Sequence, residues 1–221
     1  QDFARVVGKI ERDGRAVELE LFLSARKDVY PKTLKIQKVT RRAAEFLGQL
    51  KIVLFSPESM EIVLGSPYER RRFFDFVLSQ IDRGYLRDLI LLGKILAERN
   101  RLLEAIAQGV ARSEELSVWN TQLKEVSAPI EKARMAFSAY ISHDASPLYT
   151  EIADDKRTLE IIYKPTLPTD RADEILEKMR EREVQYHTTL VGPQRDSIQL
   201  FLGGKNLQQG ASRGESRSVV F

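Results

Sequence analysis

Cysteine is absent from this 221-residue chain, and histidine occurs only twice, at His143 and His187. The first absence excludes disulfides and thiolate metal ligands. The second, with the two rings far apart in sequence, argues against a zinc centre or a histidine-based catalytic site, and each histidine reads as an ordinary surface or partly buried residue. No apolar run approaches the roughly 20 residues that cross a bilayer. Nor does Gly-x-x-x-x-Gly-Lys-Ser/Thr occur anywhere, so the sequence carries no phosphate-cradling loop of that type. No internal repeat or low-complexity stretch is visible. These gaps leave no candidate catalytic residue and no candidate metal ligand.

What is present is an evenly mixed globular composition, 43% hydrophobic and 30% charged, with a formal net charge of +3. The length suits one large or two small domains. A net charge this small does not by itself indicate nucleic acid. The arginines do cluster, at Arg41 and Arg42 and again at Arg70, Arg71 and Arg72. Such a run is either a solvated helix end or a set of phosphate contacts.

The hydrophobic period changes twice along the chain. Val17, Leu19, Leu21 and Leu23 alternate with Glu18, Glu20 and Ser24, and Asp13-Gly14 precedes them, which predicts an antiparallel hairpin with one wet face. Ile52 to Phe55 reads as a short buried strand, followed by Ser56 and Pro57 as N-cap and first helical residue. From there to about Asp155 the period is helical. Phe73, Phe74, Val77, Leu78 and Ile81 form one stripe, and Leu89, Leu96 and Leu103 another. Past Gly109, positions Trp119, Leu123, Val126, Ile130, Ala133, Phe137 and Tyr140 alternate four and three apart, a heptad seam. The expectation is an antiparallel helical hairpin packed as a plain bundle core, with Pro129 kinking the second helix or removing one hydrogen bond. The last third is mixed: a strand over "TLEIIYKP", a charged helix capped by Thr169 or Asp170, and a hairpin turning at Gly203-Gly204.

Two smaller features bear on chemistry. Glu58 and Glu61 lie at a helix start, where carboxylates favour the dipole more often than they catalyse. The closing stretch "GASRGESRSVVF" places Ser212 ahead of a helix opening. This is either an ordinary capped start or a turn whose free N–H groups meet an anion.

Three stretches taken together, "VLFSPESMEIVLGSPYERRRFFD" (53–75), "LAERNRLL" (96–103) and "LVGPQRDSIQLFLGGKNLQQGASRGESR" (190–217), resemble the RecF family of bacterial recombinational-repair proteins. The resemblance is close from Ile52 to Arg217 and looser before it. It implies an α+β fold: part of an SMC-like ABC ATPase head with an inserted helical arm, divided as head (1–57), arm (58–158) and head again (159–221).

The family's nucleotide site combines a Walker A loop and an acidic Walker B strand with a signature turn from the opposite subunit. Ser212, Gly214 and Arg217 match that turn, and the resemblance makes its anion the ATP of a second copy. Arg195 and Asp196 line the nucleotide face by the same resemblance, or else form a turn-stabilising ion pair. Arg70, Arg71 and Arg72 become candidates for DNA phosphates. The family usually carries Gln at the positions of Arg213, Glu215 and Ser216. Glu215 therefore sets a negative charge beside the incoming anion, which Arg213 and Arg217 can offset.

Because the Walker A loop is missing and no apolar strand ending in Asp-Glu follows the turn, the expectation is an internal fragment without ATPase activity of its own, from a family of weak DNA-dependent ATPases. The resemblance further implies ATP and Mg²⁺ as cofactors of the intact protein. It implies DNA (single strands, duplex and junctions between them), a second copy, RecR and RecO as partners, no membrane, a cytoplasmic, nucleoid-associated location, and a role in gap repair and the SOS response. Two other readings stay open: a non-enzymatic helical-hairpin interaction module, and the head of another SMC-like ATPase. An insertion of roughly a hundred residues is far too short for a long SMC coiled coil.

Overall fold

The alternating first segment folds as an antiparallel meander, β1 (Phe3–Arg12), β2 (Arg15–Ser24), β3 (Lys32–Ile36) and β4 (Val39–Arg41), in that spatial order. The computed structural model describes residues 3–12, 14–25 and 32–220. Register pairs Val6 with Leu21, Leu19 with Ile36 and Leu34 with Arg41. Gly14 follows the expected hairpin geometry with a φ of 70°, whereas Asp13 lies outside the described residues. The β3–β4 turn is tighter in its demands: Gln37 and Lys38 both take positive φ, 51° and 65°, without a glycine. Gln37 is held there by two bonds to β2, its N–H to Glu18 O (2.8 Å) and its Nε2 to Ala16 O (2.7 Å).

Two sequence expectations in this region need correction. The face of β2 expected to be wet carries Glu20, which is buried because Arg5 (2.8 Å) and Lys35 (2.9 Å) from the flanking strands close over its carboxylate. The run Ile52–Phe55 is not a buried strand: it is irregular and exposed, with Val53 at 99% and Leu54 at 75%. An extended apolar segment needs a ladder partner to become a strand, and none pairs with it among the described residues.

Helices α1 (Ala43–Phe46), α2 (Glu61–Leu64), α3 (Pro67–Ile81), α4 (Arg83–Ala107) and α5 (Leu116–Ala153) follow. Ser56 takes the N-cap position of a 3₁₀ turn at Pro57–Met60, as the sequence predicts, and its N–H donates to Ser59 Oγ (3.1 Å). Strand β5 (Leu159–Lys164), helix α6 (Ala172–Tyr186), strands β6 (Ser197–Leu202) and β7 (Lys205–Asn206), and helix α7 (Arg213–Val220) complete the order. Contacts group Gln1–Val53 with Ser79–Ile81 as one compact unit, and Leu54–Leu78 with Asp82–Phe221 as a second. Helices α4 and α5 and the β5–β6–β7 sheet fall within the second unit.

Within the second unit, α4 and α5 form the expected helical hairpin, turning at Gly109 with a φ of 73°. Asp82 caps α4 by accepting from the Gly84 and Tyr85 N–H groups. Leu123, Val126 and Ile130 are buried against Leu92 and Ile95, and α6 adds Leu176 to the same core. Tyr140 departs from the predicted seam and is 60% exposed, with Ile141 packing inward instead. A strict heptad drifts about 20° per repeat on a straight helix, so the inward position slips by one residue. Helix α5 runs unbroken through Pro129 and Pro147.

Its last turns are fixed to β5 by three serines at four-residue spacing. Ser138 and Ser142 Oγ donate to Ile161 O (2.6 and 3.1 Å), Ser142 Oγ accepts from Ile161 N–H (2.8 Å), and Ser146 Oγ accepts from Leu159 N–H (3.1 Å). The side chains thus satisfy a strand edge that has no neighbouring strand among the described residues. On its other edge β5 pairs antiparallel with β6, whose Ile198, Leu200 and Leu202 point into the core as their alternation predicts. The cap of α6 is a further correction. Thr169 instead places its N–H and hydroxyl on Glu131 of α5 (3.0 and 2.6 Å), and the helix proper begins at Ala172 with no side-chain cap.

Candidate anion-binding turn

The β6–β7 hairpin positions the turn that precedes α7. Gly203 and Gly204 take φ of 54° and 77°, the positive values a two-residue connection requires. Leu207 then anchors the following loop in the core formed by Leu200, Leu202 and Tyr149.

At the start of α7 the sequence Ser-Arg-Gly-Glu forms a reciprocal capping box. Ser212 Oγ accepts from Glu215 N–H (3.1 Å), and a Glu215 carboxylate oxygen accepts from Ser212 N–H (2.7 Å). Ser216, fully buried, donates its hydroxyl to Ser212 O (3.0 Å). Ser212, Arg213, Gly214 and Arg217 are exposed. The backbone N–H groups of Arg213 and Gly214 have no acceptor among the described residues. The Ser212 proton can turn toward Glu215 or toward an incoming group. The arrangement is a small exposed set of donors at a helix N-terminus.

Glu215 does not stand as a bare charge. Its second oxygen accepts from Arg157 Nη2 at 2.7 Å, and the same guanidinium donates through Nε to Asp155 at 2.8 Å. Asp155 also takes the Tyr149 hydroxyl (3.0 Å). The Ser212 N–H, followed by the Arg157 guanidinium and the Ser212 hydroxyl, holds the Glu215 carboxyl at about 2; Arg157 holds Asp155 at about 2 as well. The cation in contact with Glu215 is Arg157, while Arg213 and Arg217 are exposed on the same helix. An open pocket of about 430 Å³ lies beside this cluster, with Arg157, Lys205 and Glu215 on its wall.

The other predicted residues fall in two places. Asp196 is buried and accepts from the Tyr163 hydroxyl, from Thr166 N–H (2.7 Å) and from Arg134 (3.3 Å). Its ion-pair partner is thus Arg134 of α5, while Arg195 is exposed beside it. Arg134 also reaches Asp75 (2.8 Å), the Tyr85 hydroxyl (3.0 Å) and Pro193 O (2.7 Å). The sequence patterns give no sign of this role. A charged residue on a charged helix reads as surface, and nothing local to Arg134 marks it as buried.

The three consecutive arginines of α3 diverge. Arg70 is buried, donating to Ile198 O and Gly65 O at 2.8 Å each, and Arg71 donates to Asp196 O at 2.8 Å. Burial lowers the pKa of both. Only Arg72 of the three projects into solvent, 71% exposed and 3.7 Å from Glu69. Glu58 accepts from Ser56, which lowers its pKa and fits a helix-start role. His143 is exposed beside Asp144 (2.7 Å), and His187 closes α6 with a φ of 51°.

Among the described residues no group of three His, Cys, Asp or Glu could hold a metal ion, and no helix is long and apolar enough to cross a membrane.

No family model matches the chain. It is 33% identical over 233 residues to the DNA replication and repair protein RecF of Bacillus mycoides (strain KBAB4), and 32% identical over 231 residues to that of Bacillus cytotoxicus (strain DSM 22905 / CIP 110041 / 391-98 / NVH 391-98). Both matches take in 100% of this chain and 61% of the relative, so the chain spans about three-fifths of the length of the curated relatives it matches. Two solved structures of the recombination mediator protein RecF in the RecFOR pathway share its fold. RecF-ATP has a TM-score of 0.90 and RecF-ATPrS one of 0.87, each at 26% identity over 100% of this chain and 61% of the other. In sequence and in fold alike, the chain is RecF-like.

Proposed function

We propose that this chain works within a RecF-type DNA repair protein that binds DNA, dimerises on ATP and acts in recombinational gap repair and the SOS response. The observation that carries the reading is the exposed turn at Ser212, with the Arg213 and Gly214 N–H groups unpaired among the described residues, in a chain similar to RecF over its whole length. Those donors suit the terminal phosphate of ATP held by a second copy. The same residues do not supply a Mg²⁺ site, so the metal accompanies the nucleotide on the other side of the joint. ATP supplies the polyanion that draws the two copies together; Ser212 and the two N–H groups receive it.

DNA contact is to backbone phosphates, with Arg72 the member of the α3 cluster free to make it. Single strands, duplex and their junctions are the substrates, and RecR and RecO the protein partners, in the cytoplasm at the nucleoid. Support for the partners comes from the RecFOR pathway to which the similar solved structures belong.

The test is sedimentation of the full-length gene product with and without ATP, alongside titration of gapped DNA at several salt concentrations. A dimer that forms only with ATP and binds DNA more weakly as salt rises supports the proposal. A species of constant mass that ignores ATP and DNA overturns it and leaves a helical-hairpin interaction module.

A further inference from the structure

Resting on the reading of α7 as the turn that meets a partner's nucleotide, we propose that Arg157 is a positioning residue for that turn: it masks the charge of Glu215 and so lets an anion approach. Glu215 stands in the first turn of α7, next to the N–H groups of Arg213 and Gly214 that are unpaired among the described residues. One of its oxygens is bound to Ser212 N–H; the other would be bare without Arg157. A carboxylate a few ångströms from an arriving phosphate opposes binding on the order of tenfold even at the dielectric of bulk water.

The guanidinium is held ready for this task from three sides. Asp155 takes its Nε (2.8 Å) and also the Arg157 backbone N–H (3.0 Å). Its stem lies over the hairpin backbone at Gly203, where a Cβ would sit 3.0 Å from Arg157 Cγ and Cδ. Glu215 closes the third side at 2.7 Å. Asp155 adds a second carboxylate to the group, and Lys205 on the same pocket wall, with Arg213 and Arg217 on α7, leaves cations in excess around the turn. Arg157 thus acts through Glu215, and Ser212 with its neighbours makes the contact.

The experiment compares Arg157→Gln, Arg157→Lys and the double variant Arg157→Gln/Glu215→Gln in the full-length gene product. The measurement is the ATP concentration that half-saturates dimerisation in sedimentation, with circular dichroism and thermal melting to establish folding. Arg157→Gln should raise that concentration about tenfold. Arg157→Lys, which keeps the charge, should lose less, and the double variant should recover most of the loss, because the charge to be masked has gone. If the double variant stays as impaired as Arg157→Gln while folded, Arg157 serves the fold or touches the phosphate itself, and the proposal is wrong. Should Arg157→Gln fail to fold, equal ATP dependence of Arg157→Lys and the unaltered protein supports it, and a tenfold loss in Arg157→Lys overturns it. A separate arm, Ser212→Arg, decides the underlying reading: ATP-dependent dimerisation that survives this change shows the turn misassigned, whatever Arg157 does.

Discussion

Arg99 Nη2 lies 2.6 Å from Glu183 Oε2, and both side chains are almost wholly removed from solvent, at 1% and 0% exposure. The pair joins α4 to α6, and each partner makes further hydrogen bonds. Arg99 also reaches Asn120 (3.0 Å) and Thr189 (2.9 Å), while Glu183 accepts from Leu190 N–H (2.8 Å). Removing one partner leaves the other charge buried and unpaired, which costs about 3–5 kcal/mol. Glu183→Leu should therefore lower the midpoint of urea unfolding sharply, and Arg99→Met/Glu183→Leu should restore much of it. A double variant as unstable as the single would locate the energy in the neighbouring asparagine and threonine contacts instead.

Arg70 and Arg72 should separate in experiment despite lying two residues apart. Arg72→Ala should reduce the slope of log DNA affinity against log salt by about one, with stability within about 0.5 kcal/mol of the parent. Arg70→Ala strips two carbonyls of their donor and should destabilise by about 2–4 kcal/mol. Salt-dependent DNA titration paired with chemical denaturation checks both.

Ser212→Arg should leave ATP binding by the full-length gene product near normal and abolish ATP-dependent dimerisation. Losing the cap costs only about 1 kcal/mol, too little to unfold the second unit, while the larger side chain fills the space the phosphate needs. Nucleotide titration and sedimentation on the same preparation separate the two effects.

The meander should respond to acid through Glu20. Hydrogen bonds from Arg5 and then Lys35 bring its pKa to about 2 from an ordinary 4.5. A lowered folded-state value adds stability that is present above 4.5 and lost as pH falls toward 2. Glu20→Gln should flatten the fall in melting temperature over that window. An unchanged acid slope would assign it to other carboxylates.

Much of this architecture is legible in the sequence because it is local. Period-two alternation in Ile198, Leu200 and Leu202 and the four-three spacing of Leu123, Val126 and Ile130 each state a face directly. What escaped depends on partners far along the chain. Ile52–Phe55 has every propensity of a strand and no ladder to join among the described residues. Arg70, Arg99 and Arg134 look like surface charges, since only the acceptors that converge on them from distant segments make their burial tolerable. At the candidate turn, Ser212 is readable as a cap, yet Arg157 lies 58 residues from Glu215 and no short-range rule connects them. The serine ladder is a long-range feature with a local trace: Ser138, Ser142 and Ser146 repeat every four residues along one face of a helix.

That ladder turns α5 into a shaft. Thirty-eight residues at 1.5 Å each make a rod of about 57 Å. One stretch is gripped by α4 and α6 through Leu123, Val126 and Ile130, and the far end is bolted to β5 beside the core that seats α7. The hairpin tip near Gly109 and the core that seats α7 are thereby joined through one continuous helix. Pro129 and Pro147, each lacking the N–H that would brace the turn before it, mark where the rod has some give.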